Sequence, residues 1–241
     1  LLITLISFGY FSKDFRLDAS SETLLIEGDP DLEYLKEIND RYGSKDFLVL
    51  TYTPNEGMIT DASINNLLSL KYKIQSLNWV HNVITLLDIP LLNSSDEPLD
   101  ERLKNFKTLK NKDIDRNRGF KEILNSPVFR NFVISEDGKT SGIIVNIKKN
   151  KELKDFENKS KNEIEIHNDF IKKQNHQNIL EIREIIKSYE DIGKIHLGGI
   201  PMIADDMMSF IKSDIIVFGL GVFLFIIITL WFVFRKLIWI I

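Results

Sequence analysis

Cysteine is absent from the 241 residues. That excludes disulfides, thiolate metal sites and a cysteine nucleophile. It leaves the compartment open, because many extracytoplasmic domains lack disulfides. An excess of positive charge is missing too. The formal net charge is −4, so no nucleic-acid footprint is present. The chain has no Gly-rich phosphate loop, no nucleophile elbow and no internal repeat. His81, His167, His176 and His196 lack metal-ligand spacing such as H-x3-H and read as surface or strand residues. Nowhere do a nucleophile, a base and an orienting group stand at recognisable spacing. The sequence therefore assigns no catalytic residue, no metal ligand and no cofactor, and reads as a non-enzyme.

What is present is a strong segregation of charge from apolar residues. Residues 215–234 read IIVFGLGVFLFIIITLWFVF, with no charge and one hydroxyl. At about 1.5 Å per residue this run spans about 30 Å, the thickness of a bilayer's hydrocarbon core. A buried helix of a soluble protein is rarely apolar on every face for that length. Trp231 fits an interfacial aromatic, and Arg235-Lys236 place the following end in the cytoplasm. The chain continues as LIWII, which reads as re-entry into the membrane after a short turn. Residues 1–11, LLITLISFGYF, are too short to span and lack the leader and cleavage site of a signal peptide. They read as the last turns of a first transmembrane helix. The expected organisation is thus a helix end at 1–11, an extracytoplasmic domain at 12–211, a transmembrane helix at 212–234, and a cytoplasmic turn opening a third helix at 235–241.

Within the polar loop, local signals alternate between strand and helix. Asp29-Pro30-Asp31 opens a helix ended by Gly43. DFLVLTYTP is a strand stopped by Pro54. Thr60-Asp61 caps a helix to about residue 78, with Ile64, Leu67, Leu68 and Tyr72 on one face. WVHNVITLLDIP is a second strand, ended by Pro90. Residues 91–118 read as a surface excursion with some helix. Asp137-Gly138 between β-rich runs 129–135 and 140–147 predicts a hairpin. The run 149–178 reads as a solvated helix or a link, and 177–190 as a helix with Ile182, Ile185, Ile186 and Tyr189 buried. KIHLGG is the last strand. The order predicts an α+β, split βαβ or ferredoxin-like domain. Its expected core holds Phe47, Val49, Val83, Leu86, Ile143, Val145 and Ile195, covered by Leu67, Leu68, Ile182 and Ile186.

These residues resemble the RND superfamily of membrane transporters. INDRYGSKDFLVLTYTP is similar to the opening of that family's first extracytoplasmic domain, LNWVHNVITLLDIP to its second strand and SEDGKTSGIIVNI to its hairpin. GGIPMIADDMMSFIKSDIIVFGLGVFLFIIITLWFVFRKL resembles its passage from porter domain into the second transmembrane helix. The marks are Gly199, Pro201, Asp214, Phe234, Arg235 and Lys236. The nearest branches are MmpL-like, hopanoid-exporter-like and Patched-like. The resemblance implies an ion-gradient-driven exporter of lipids or other hydrophobic molecules in a cell membrane such as the bacterial inner membrane. It implies as partners membrane lipids, a hydrophobic substrate, the rest of a polytopic chain and possibly a homo-oligomer, with no nucleic acid. The family's ion-coupling carboxylates belong to a fourth transmembrane helix and its second-half counterpart. Energy coupling therefore falls to no residue of this sequence.

Several residues carry two readings. Asp214 is a functional intramembrane acid or, beside Lys212 and Ser213, an interfacial residue favoured by the helix dipole. Asp205-Asp206 could attract a cation, but no further acid is fixed near them. Gly219-x-Gly221 permits close helix packing. Asn93 and Asn158 stand in glycosylation acceptor triplets. Met202, Ile203, Met207, Met208 and Phe210 suit either contact with a hydrophobic substrate or packing on neighbouring helices. The alternative function is a membrane sensor with an external ligand-binding domain. A sensor needs a hydrophilic signalling helix after its second span, and Leu237–Ile241 oppose that.

Overall fold

The computed structural model describes residues 46–94, 98–148 and 161–235, together with Tyr10 and positions 29–31, 34, 37, 38 and 41. The expected helix end at 1–11, apart from Tyr10, lies outside the described residues, as do the link at 149–160 and positions 236–241. Two compact units are present: Tyr34–Ile203, and Leu1–Glu33 with Ala204–Ile241.

The first unit is built on a four-stranded sheet. Its strands are β1 (Phe47–Pro54), β2 (Val80–Ile84), β3 (Ser141–Ile147) and β4 (Gly193–Gly198). They lie in the order β2-β3-β1-β4, and each neighbouring pair is antiparallel. The strands that begin at Phe47 and at Gly193 thus belong to one sheet, with Tyr52 opposite Ile195 and Thr53 opposite Lys194. Because β3 opposes both β1 and β2, those two strands run the same way with β3 between them.

Helix α1 (Asp61–Gln75) joins β1 to β2. It starts at Thr60, whose hydroxyl accepts a hydrogen bond from the Ser63 N–H and so satisfies one orphan donor of the first turn. It buries Ile64, Leu67, Leu70 and Ile74. Tyr72 lies on the opposite side and is exposed. The expected face was rotated, because Leu68 and Tyr72 compete with Leu70 and Ile74 for an apolar stripe. The helix also stops at Gln75, short of residue 78.

Strand β2 ends at Ile84, well before Pro90, because Thr85 opens a capping box. Its hydroxyl accepts from the Leu87 N–H while Asp88 accepts from the Thr85 N–H, and a single 3₁₀ turn follows at Leu86–Asp88. The excursion beyond it is more than surface. Leu91, Leu109, Ile114 and Ile123 are buried, and the Leu91 N–H bonds the Lys107 carbonyl. It carries helices α2 (Leu99–Lys104) and α3 (Arg116–Asn125), the latter capped by Asp115.

The predicted hairpin forms only in part. Gly138 takes the positive φ that the turn needs, and Ser135 and Gly142 donate to Thr140 and Val133. Its first arm is not a strand. Asn131 adopts a left-handed φ of 63°, and Arg130, Phe132 and Val133 fold back onto Ser126 and Phe129. A ladder cannot continue through such a residue.

Helix α4 (Lys161–Lys187) is longer than the expected 177–190 and joins β3 to β4. It buries Ile179, Ile182 and Ile185, with Ile186 and Tyr189 partly covered. On β1 the buried residues are Leu48, Leu50 and Tyr52. Phe47 is exposed and Val49 only half-buried, so the expected core was assigned to the wrong parity of that strand. Val83, Leu86, Ile143 and Val145 are buried as predicted, while Ile195 packs at the margin. Each fully buried Leu or Ile contributes about 1.5–3 kcal/mol against exposure.

Among the described residues of the second unit, the helix α5 (Ile200–Phe234) dominates. Its first turn, through Ile203, belongs to the sheet unit. By length and composition it is able to cross a membrane: Ile200–Val233 contains a window of mean hydropathy 2.8, none of which is buried. It ends where Arg235 takes a left-handed φ of 48° and donates its N–H to the Trp231 carbonyl.

Candidate functional site at the strand-to-helix junction

Two of the residues singled out from sequence, Gly199 and Pro201, come together where β4 becomes α5. Gly199 has φ of +117°, a conformation closed to L side chains. A Cβ there would lie 3.0 Å from the Phe47 carbonyl oxygen and 3.2 Å from Leu48 Cα. The junction therefore packs backbone to backbone against the start of β1. The Gly199 carbonyl accepts from the Met202 and Ile203 N–H groups at 3.1 and 3.0 Å, which starts the helix. Pro201 follows in the first turn, where a missing N–H costs nothing.

A third residue joins them. Asn175 of α4 donates from Nδ2 to the Pro201 carbonyl at 2.9 Å. Sequence reasoning passed over it, because 149–178 is a polar run in which one asparagine carries no signal. Met202 turns inward and packs on the core, whereas Ile200 and Ile203 are exposed. The junction so combines a fixed backbone with two unpartnered apolar side chains.

The remaining predicted positions are elsewhere. Asp214 is an exposed residue of α5, and Arg235 stands 21 residues further on at the helix end, about 30 Å along the axis. The structure does not bring these two together. Lys236 lies outside the described residues.

Two polar clusters exist in the sheet unit, and both are saturated internally. Asp88 Oδ1 accepts from Lys71 and Lys110, each at 2.5 Å, while Oδ2 accepts from the Thr85 N–H and hydroxyl. Burial pushes the Asp88 carboxyl up, but the two lysines and Thr85 together hold it below the usual range. Glu122 accepts from the N–H groups of Leu92 and Asn93 and from the Ser94 hydroxyl. Partial burial opposes that set, and the bonds win, so its pKa is lowered as well. Arg102 and Arg118 donate to the carbonyls of Leu92 and Asn93, closing a clasp around this loop. Both clusters bind chain to chain. Among the described residues, no group of three His, Asp or Glu is placed to hold a metal.

Compared with known protein families and with curated proteins, the chain matches no family model and no curated protein.

Proposed function

We propose that this chain is part of an ion-gradient-driven transporter of the RND type that exports lipids or other hydrophobic molecules. In this reading the sheet unit is a ferredoxin-like porter domain. The strand order β2-β3-β1-β4, with α1 joining β1 to β2 and α4 joining β3 to β4, supports that fold. The observation that carries the functional reading is helix α5. It begins at the Gly-x-Pro junction of the sheet unit and runs without interruption into an apolar segment of membrane-spanning length. A stiff element of this kind passes displacement from a folded domain to a bilayer without any chemistry of its own. The chain's role is then mechanical, and its partners are membrane lipids, an apolar substrate and other membrane segments.

The orientation follows from Arg235-Lys236: the sheet unit is extracytoplasmic. Lys139 is exposed at a turn, and the chain has no cysteine, so Lys139→Cys is a clean reporter. An impermeant maleimide should label it in intact cells. Protection in intact cells with labelling after lysis refutes the topology. For function, a glycine pair at Met202 and Ile203 loosens the first turn of α5. Transport by the intact protein should fall while its abundance holds. Unchanged transport removes the mechanical role.

A further inference from the structure

We infer that Asn175 makes α4 a lever on the first turn of α5. The residues that seat α4 in the core are Ile179, Ile182 and Ile185, all in its C-terminal part. Residues 161–178 precede them, about 27 Å of helix. Ile166 and Phe170 on this arm are exposed. Asn175 lies one turn before Ile179, where the arm leaves the core, and it bonds the Pro201 carbonyl. A carbonyl has two lone pairs, so this bond adds to the helix's own ladder and does not replace a rung.

The first turn of α5 is thereby held from two sides. Gly199 fixes it to β1 through backbone contact, and Asn175 fixes it to α4. The bond is 2.9 Å long, and a hydrogen bond stretched beyond about 3.5 Å is lost. A shift of the arm by well under 1 Å must then either carry the turn with it or break the bond. A load on α4 at Ile166 or Phe170 reaches Met202 and Ile203 by this route. The coupling does not require transport, so either claim can fail while the other stands.

The test uses the full chain in lipid nanodiscs and amide hydrogen exchange. Asn175→Leu keeps the volume and removes the donor, and Asn175→Asp keeps the shape with an acceptor only. Both should speed exchange at Met202 and Ile203 by about fivefold, the loss of one hydrogen bond. The Leu50 and Tyr52 amides of β1 should not change. A second arm loads the lever: Phe170→Cys, biotinylated and bound by streptavidin, should alter exchange at Met202 and Ile203. The same load on an Asn175→Leu background should leave those amides at their unloaded rates. Equal acceleration in β1 and at the junction would mean general destabilisation and would overturn the lever. So would unchanged exchange in the Asn175 variants, or a load felt equally with and without Asn175.

Discussion

Replacing Asp88 with alanine isolates the energetics of the polar centre under the sheet. The Lys71 and Asp88 side chains are 10% and 22% exposed, so solvent screens their attraction poorly. Removing the carboxylate leaves the Lys71 ammonium beside the core with no counter-charge. Breaking a buried pair in this way costs about 3–5 kcal/mol. The lower end applies, because Lys110 is 33% exposed and can turn to water. Loss of the capping box at Thr85 adds about 1 kcal/mol. Asp88→Ala should thus cost about 4 kcal/mol. Lys71→Met keeps the buried stem and removes the charge, while Asp88 retains Lys110. It should cost about 1 kcal/mol, as the replacement of a charge by a well-packed apolar group often does. The double variant should fall short of the sum by about 2 kcal/mol. Urea denaturation in detergent micelles measures this through Trp79 fluorescence, with Trp231 and Trp239 changed to Phe. Acid gives an independent check. The folded pKa of Asp88 lies below its unfolded value of about 3.9. Its contribution is therefore complete above that value and is lost as pH falls through the folded pKa. The wild type should lose stability steeply below about pH 4, and Asp88→Ala should show a shallower slope. A cost under 1 kcal/mol for Asp88→Ala, or strict additivity in the cycle, refutes the reasoning.

Gly199→Ala should destabilise the sheet unit by about 2 kcal/mol, since it meets both a closed φ and the Phe47 carbonyl. Gly198→Ala is the control: its Cβ would stand 3.6 Å from the Val49 carbonyl oxygen, an ordinary contact, and should cost under about 1 kcal/mol. Equal melting temperatures for the two variants would show that the junction is not fixed. Tyr52→Phe should be neutral or stabilising by about 1 kcal/mol. The Tyr52 hydroxyl is fully buried and makes no hydrogen bond. Burial pushes its pKa up, opposed by Asn66 and Ser63, which lie close by but outside hydrogen-bonding geometry. A loss above about 1 kcal/mol on chemical denaturation would show that those side chains hold the hydroxyl after all.

Local signals located all four strands and both long helices of the sheet unit, because caps and turns act within a few residues. Thr60, Asp115 and Gly138 each set a boundary through a bond or a φ confined to one turn. At the junction, Gly199 and Pro201 stood out because glycine and proline restrict the backbone wherever they occur. Asn175 did not, because its partner is 26 residues away and its chemistry is common to every asparagine in that polar run. The clasp of Glu122 around Leu92–Ser94 was hidden for the same reason. The length of α4 was misjudged because 161–176 lacks the continuous apolar stripe that marks 179–186. Its helicity rests on continuity with a segment that the core does hold.

The parity of β1 could have been read from the sheet as a whole, and it exposes what single-strand reasoning omits. FLVLTYTP is apolar at both parities through Val49 and Leu50, so period-two alternation cannot choose a face. Cross-strand rows can. Leu48 stands opposite Val145, and Leu50 opposite both Ile143 and Leu197. Tyr52 stands opposite Ile195. Every long side chain in these rows is apolar. The alternative rows place Thr51 with Gly142 and His196, and Phe47 with Asn146, which in turn opposes Asn82. A core built on them would bury an imidazole and two amides. Asn82 and Asn146 instead bond to each other on the half-exposed face at 2.7 Å, and Thr53 bonds Thr140 at 2.8 Å. That face satisfies its polar groups laterally, without a covering layer. Val49, Ile84 and Ile144 remain half-buried among them, so the choice of face turns on the rows and not on β1. The energetic margin lies in the buried amides avoided, each about 2 kcal/mol or more if unpaired, and exceeds any difference in hydrophobicity between Val49 and Leu50.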